Sequence, residues 1–387
     1  MGRSSPARRM TSLPPYPFAQ WNAEIARVRA AGVDVIRLDI GNPDLPPPPA
    51  VIDALCRGAR RETGHGYAGY RGLPALREAM AAYYARRFDV RLDPEREVVP
   101  LIGSKEGIVL LALALLDPGD LVLVPDPGYA PYVIGATLAG AEVYRLPLRA
   151  ERGFLPDLAA VPSAVADRAA LLWLNYPHNP TGATAEPDFL EEAVAFARQH
   201  HLLLCHDAPY SEIAYDGYVA PSVLQVPAAV EVAVEFHSLS KTFNMAGWRV
   251  GMAVGNAEAL AMLARLKSNV DSGHFRPVQE AAVAALRTDV AWIAARNAVY
   301  AERLALLHEA LTRVGWPISL PKATFYLWAP LPTGPSSKAF ALDLLEATGV
   351  AVAPGAFFGA GGEGYVRLSV TAATERIVEA ARRIAGS

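Results

Sequence analysis

An alternation constrains this chain more than any other feature. Apolar runs of strand length, at Val98 to Ile102, Leu121 to Pro125, Leu171 to Asn175, Leu202 to His206, Val232 to His237 and Val250 to Val254, are separated by helix-compatible stretches such as Lys105 to Leu116 and Asp188 to Gln199. Runs that are apolar throughout, not at every second residue, belong to strands buried on both faces. The expected fold is therefore α/β, with a mostly parallel central sheet and flanking helices. Open sheets of this kind bind ligands at the carboxyl ends of their strands, so the residues that follow each run are the candidates for function. Beyond about residue 276 the texture changes to Ala/Arg/Leu-rich helices and then to strand-like Phe325 to Ala329 and Tyr365 to Val370, which predicts a smaller α/β C-terminal domain. The four prolines Pro46 to Pro49 cannot sit in a helix and favour an extended strap. The expected organisation is an N-terminal arm over 1–45 that joins the small domain, a large domain over 46–275 and the small domain over 276–387.

Composition removes several function classes. Of 387 residues, 52% are hydrophobic and 19% charged, which supports a large core and excludes disorder. A net charge of −3 gives no field for nucleic acid or anionic lipid. The longest strongly apolar stretch, Ile108 to Leu116, has nine residues, where a membrane span takes about 20. Cys56 and Cys205 are too few for a disulfide framework and lack zinc-site spacing. Arg3, Arg8 and Arg9 are followed by prolines and Gln20 instead of a signal-peptide apolar region. A cytoplasmic protein is expected, with Met10 an alternative start.

Four strand ends carry chemistry. Ser238-Leu-Ser-Lys241-Thr-Phe-Asn-Met-Ala-Gly-Trp-Arg249 follows one run and places Lys241 on a predicted loop. A lysine becomes a Schiff-base nucleophile when burial and nearby cations lower its pKa, and Arg249 can supply that field or clamp a phosphate; the plain alternative is a surface lysine. Asp207 ends another run, with Tyr210 three residues on. Its carboxylate suits a protonated pyridine nitrogen, or it caps the next helix. Asn175-Tyr-Pro-His-Asn179-Pro-Thr-Gly182 forms a rigid turn that offers amide donors, and is otherwise only a turn. Gly103-Ser-Lys-Glu-Gly107 opens a helix whose N–H groups and dipole suit a phosphate, or it is an ordinary Ser104 cap.

In this order the four motifs resemble the fold-type-I, class I/II aminotransferases that use pyridoxal 5′-phosphate. Leu13-Pro-Pro-Tyr16, Asp39-Ile-Gly-Asn-Pro-Asp-Leu45, Asp126-Pro-Gly-Tyr129, Phe236-His-Ser-Leu-Ser-Lys241 and Ser268-Asn-Val-Asp-Ser272 resemble the LL-diaminopimelate subgroup, from about Leu13 to Thr371. The resemblance implies that Lys241 bonds the cofactor covalently and shuttles the substrate proton. It implies that Asp207 holds the ring nitrogen protonated, that Asn179 and Tyr210 hydrogen-bond the 3′-oxygen, and that Tyr129 stacks on the ring. The Ser104 and Lys105 amides, Ser238 and Arg249 would bind the phosphate, joined by Tyr67 from the other subunit of a homodimer with shared sites. Arg367, in Tyr365-Val-Arg-Leu-Ser369, would clamp the substrate α-carboxylate, and Gly41 would let substrate approach the backbone. Tyr16, the Lys105 side chain and Asn269 would meet the distal end of an amino acid, with LL-diaminopimelate favoured as donor and 2-oxoglutarate as acceptor. His178 stands where the subgroup usually has Asn, and Asn42 and Ala208-Pro209 are further departures near the expected pocket, bearing on substrate more than on reaction.

Competing patterns fit less well. Gly359-Ala-Gly361-Gly-Glu-Gly364 spells a dinucleotide fingerprint but precedes a strand where a helix is required. Ser238-Leu-Ser-Lys241 matches S-x-x-K without a K-T-G partner. His201, Cys205, His206 and Asp207 suggest a metal, but on a strand His206 and Asp207 face opposite ways. Regulators that carry an aminotransferase-like sensor behind a helix-turn-helix need more than the 40 residues before Gly41. A broad-specificity alanine, aspartate or aromatic aminotransferase, and a C–S lyase on the same fold, share every cofactor residue.

Overall fold

Seven strands form the central sheet, in the spatial order Val98–Leu101, Gly251–Gly255, Ala233–Ser238, Leu203–Asp207, Ala169–Leu174, Leu121–Asp126 and Glu142–Pro147. Six of these strands share one direction, and Gly251–Gly255 runs against it, antiparallel to both its neighbours. This computed structural model describes residues 5–13, 15–332 and 336–386. Arg3, Pro14 of the Leu13-Pro-Pro-Tyr16 motif, and the extreme ends of the expected arm and C-terminal domain lie outside the described residues.

Six strands coincide with the six apolar runs to within two residues at either end. Glu142–Pro147 was not anticipated. It pairs on one side only and buries Leu146 alone among its six residues, so it carries no apolar run to signal it. The continuous runs of the inner strands have the expected cause. Leu123, Leu172 and Leu204 pack into one layer while Val122, Val124, Leu171, Trp173, Cys205 and Phe236 pack into the other. Each such side chain removed from water contributes roughly 1.5–3 kcal/mol, which makes this sheet a rigid platform.

A second core joins Trp21, Ile25 and Val28 of helix Pro17–Ala30 to the C-terminal residues. It covers a three-stranded antiparallel sheet ordered Ala353–Pro354, Tyr365–Ser369, Tyr326–Pro330. Ile36–Arg37 pairs in parallel with Val350–Ala351 and ties the arm to this body.

Two expectations need correction. Helix Arg276–Leu286, expected in the small domain, packs against Pro49–Ala59 and Pro74–Phe88 and gives Ala281, Ala282, Ala285 and Leu286 to the first core. Helix Val290–Arg313 then spans both cores, with Trp292 and Ile293 against the first and Tyr300, Leu304 and Leu307 in the second. Ala-rich texture continues across the change because both sets of helices bury small residues. Pro49, in turn, is the first residue of helix Pro49–Ala59; a first-turn N–H has no intrahelical partner, so its loss is tolerated there.

Candidate active site

Lys241 sits in a one-turn helix, Leu239–Thr242, and not on the expected loop. The Ser238 hydroxyl caps that turn by accepting from the Ser240 N–H at 3.3 Å. Lys241 Nζ donates to the Gly41 carbonyl oxygen at 2.6 Å. Burial, with Arg367 and Arg249 adding like charge, pushes the amine down to about 7. At neutral pH a large fraction is therefore the free base, the form that attacks a carbonyl.

Asp207 closes the strand Leu203–Asp207 and is 2% exposed. Its Oδ2 accepts from the Tyr132 hydroxyl at 2.8 Å, so its role is not that of a helix cap. Its Oδ1 is buried with no protein partner. Burial pushes this carboxyl up to about 6, opposed by the Tyr132 bond and by His206. A buried carboxylate oxygen left unpaired is costly, and Asp207 lines the same cavity as Lys241. His206 turns to the opposite side of the sheet, where Nδ1 lies 2.8 Å from Glu235 Oε2, so the strand does not present the two residues to one metal.

The strand-end turn at 175–182 is cross-linked to the second core. Asn175 donates to the Asp207 carbonyl at 2.6 Å and accepts from the Asn179 N–H at 2.9 Å. Asn179 Oδ1 accepts from Arg367 at 2.6 Å. Arg367 also donates to the Asp39 carbonyl at 2.7 Å, while its Nε is buried and unpartnered. Its guanidinium lies 4.1 Å from the Tyr326 ring centre and 4.6 Å from that of Phe358. The Tyr210 and Tyr326 hydroxyls are 2.9 Å apart. Burial drives His178 down to about 3, so this departure residue is a neutral imidazole, with Nδ1 2.8 Å from the Thr181 hydroxyl.

At the other end of the cavity helix Ser104–Leu115 presents its N-terminus, and its cap is Gly103, not Ser104. Gly103 has φ 78°, and a Cβ there would collide with the Arg249 guanidinium. The cation is thereby seated against the helix N-terminus, where dipole and free N–H groups also favour an anion. Lys105 Nζ lies 4.7 Å from the Tyr16 ring centre, and burial with Arg249 nearby pushes its amine down.

Together these groups enclose a cavity of about 390 Å³. They fit pyridoxal 5′-phosphate: an amine poised for its aldehyde, a buried unpaired carboxylate oxygen for its ring nitrogen, and a guanidinium beside helix N–H groups for its dianion. Tyr129, edge-on to Tyr132 at 5.8 Å, borders the space for the ring.

Of the residues singled out in the sequence, Tyr16, Gly41, Ser104, Lys105, Tyr129, Asn179, Asp207, Tyr210, Ser238, Lys241, Arg249 and Arg367 all line the cavity. Tyr67 and Asn269 do not. Tyr67 is 91% exposed, and Asn269 lies in the last turn of helix Ala257–Val270 with its amide on the Arg265 carbonyl. A Cβ at Gly41 would collide with the Tyr326 hydroxyl. Sequence reasoning missed Asn175, Tyr132 and Tyr326. Asn175 stood within the quoted turn and its position at the strand end was the available signal, whereas Tyr132 and Tyr326 lie in apolar contexts that read as core.

Residues 33–384 match the profile of the family described as aminotransferase class I and II. The chain is 52% identical over 378 residues to the LL-diaminopimelate aminotransferase of Moorella thermoacetica, covering 98% of this chain and 97% of that protein. Substrate-bound BacF from Bacillus subtilis superimposes with a TM-score of 0.95 at 38% identity, covering 100% of this chain and 98% of that one. A single mutant of Thermus thermophilus aspartate aminotransferase gives 0.93 at 32% identity, covering 99% of each.

Proposed function

Since the chain belongs to the aminotransferase class I and II family, we propose that it moves an amino group from LL-diaminopimelate to 2-oxoglutarate, with the Lys241 cavity as its active site. The enzyme depends on pyridoxal 5′-phosphate, which when bound supplies the electron sink for charge developing at the substrate Cα. The observation that carries the reading is the buried, unpartnered Asp207 Oδ1 in the same cavity as a lysine whose amine is pushed down to about 7.

The residues divide the work by position. Lys241 would hold the cofactor through its amine and, when that amine is free, would carry a proton on Nζ between the substrate Cα and the cofactor's aldehyde carbon. Asp207 Oδ1 would accept from the protonated ring nitrogen, while Tyr132 keeps the other oxygen in place. Asn179 and Tyr210 would hold the 3′-oxygen and Tyr129 the ring. The Ser104 and Lys105 amides, Ser238 and Arg249 bind the phosphate at the helix N-terminus. Arg367, already fixed by Asn179 and the Asp39 carbonyl, takes the α-carboxylate in two-point fashion. Lys105 and Tyr16, which line the same cavity as Arg367, would meet the distal charged end of the donor.

LL-diaminopimelate as donor is supported by the names of relatives such as the Moorella enzyme. The working protein is proposed to be a cytoplasmic homodimer in which Tyr67 serves its partner's phosphate. Tyr67, Tyr70 and Phe275 are exposed apolar side chains of one chain, and Tyr67 has no place in its own cavity. Mixing Tyr67→Phe with Lys241→Ala chains tests this, because hybrid dimers then hold one intact site; no recovered activity sinks the sharing. For the donor, the visible spectrum of the loaded enzyme is followed during titration with LL-diaminopimelate, glutamate, alanine and aromatic amino acids. Conversion by LL-diaminopimelate at far lower concentration is expected. A different winning donor leaves the aminotransferase and removes the substrate.

A further inference from the structure

Tyr326 has no role in the assignments above, yet it touches three of the elements they use. It is 2% exposed, on the strand Tyr326–Pro330, paired with the strand that carries Arg367. Its hydroxyl is 2.9 Å from that of Tyr210. Its ring backs the Arg367 guanidinium at 4.1 Å. The same hydroxyl occupies the space a side chain at residue 41 would need, beside the carbonyl that holds Lys241.

We propose that Tyr326 is a positioning residue with two separable functions: its hydroxyl donates to Tyr210 and turns the Tyr210 proton into the cavity, and its ring holds Arg367 flat for the substrate α-carboxylate. A phenol has one proton and two acceptor lone pairs. If Tyr210 spends its proton on Tyr326, it can offer the cavity only lone pairs, which repel an anionic oxygen. If Tyr326 donates instead, Tyr210 keeps a proton for that oxygen, and accepting one hydrogen bond makes Tyr210 a stronger donor of the next. An anionic 3′-oxygen therefore selects the second arrangement. The titratable and charged groups that share the cavity with the tyrosine pair are Lys241, Lys105, Arg249, Arg367, Asp207, Tyr129 and Tyr16, of which only Asp207 is acidic, and one of its two oxygens accepts from Tyr132. For the ring, a guanidinium against an aromatic face keeps its planar edge free for a carboxylate. Arg367 Nε, buried and unpartnered, is such a free donor.

The inference rests on the proposed use of Tyr210 and Arg367 toward cofactor and substrate, and the test separates the two. Tyr326→Phe keeps the ring and removes the hydroxyl; Tyr326→Leu removes both. Loaded wild-type and variant enzymes are compared for the pH midpoint of the cofactor's visible band, for kcat and KM with glutamate, and for thermal melting. Tyr326→Phe is expected to raise the midpoint by roughly half a unit or more, because a weaker Tyr210 bond leaves the 3′-oxygen less stabilised, and to lower kcat several-fold with KM unchanged. Tyr326→Leu is expected to add a roughly tenfold rise in KM for every α-carboxylate substrate. Gly41→Ala, which pushes the hydroxyl away from the other side, is expected to move the midpoint as Tyr326→Phe does. A normally melting Tyr326→Phe with the wild-type midpoint and kcat overturns the hydroxyl function, and a normally melting Tyr326→Leu with wild-type KM overturns the ring function. A wild-type enzyme with no visible band would overturn the reading beneath and this proposal with it.

Discussion

Lys267 and Lys241 lie in opposite surroundings. Lys267, 3% exposed, donates to Glu106 at 2.9 Å and to Asp271 at 2.6 Å. Glu106 in turn accepts from the Ile102 N–H at 2.6 Å, just ahead of the helix that begins at Ser104, and Asp271 accepts from the Gly273 N–H at 2.7 Å. Lys241 has a neutral carbonyl as its partner and two arginines as its charged neighbours. Burial with carboxylates makes an ammonium a cross-link between the helix after Gly103 and the loop at 271–273. Burial among cations makes an amine that sheds its proton near neutrality. The same residue type becomes scaffold in one place and reagent in the other, and counter-charge decides which.

Exchanging the consequences would break that contrast. Lys241→Ala is expected to reduce turnover by on the order of 10⁴-fold or more, with a thermal midpoint equal to or above wild type because a buried amine without counter-charge is gone. Measurable transamination by this variant would remove Lys241 from the chemistry. Lys267→Ala strands two carboxylates, and denaturant melts should show a loss of about 3–5 kcal/mol; a wild-type melt would mean the cluster holds nothing together. Arg367→Ala should raise KM for each α-carboxylate substrate by roughly 10- to 150-fold, the equivalent of about 1.5–3 kcal/mol for a charge-assisted pair, and unchanged affinity would displace it from the site. The smallest effect sharpens the contrast most. The rate of cofactor attachment to cofactor-free protein should rise with pH and level off through a midpoint of about 7, since only the neutral amine attacks and Lys241 is neutral above that pH. A midpoint near the ordinary lysine value would mean that burial among cations does not tune it.

Much of this was legible beforehand. The five inner strands and the edge strand Val98–Leu101 appear as apolar runs because both of their faces are buried, and the residues at the ends of the parallel strands converge because a parallel sheet brings its carboxyl ends to one side. Glu142–Pro147 escaped because it buries only Leu146, unlike the other edge strand Val98–Leu101, which is buried throughout. Helix Arg276–Leu286 was assigned to the wrong core because small apolar residues suit either. Tyr132 and Tyr326 read as core residues, and they are buried; their hydroxyls acquire meaning only from Asp207 and Tyr210, which lie far away in the chain. Asn269 was singled out by resemblance, and its own chain leaves it outside the cavity.

By itself the sequence determined the elements, their order and the reactive groups at their ends, because hydrophobic periodicity and turn chemistry act over a few residues. Only the tertiary structure decided how those groups are paired. Lys241 meets the Gly41 carbonyl across 200 residues, Arg367 meets Asn179 across 188 and Tyr210 meets Tyr326 across 116. Hydrogen bonds depend on tenths of an ångström, and over such separations that precision comes from the packing of two cores against each other, which no local pattern encodes.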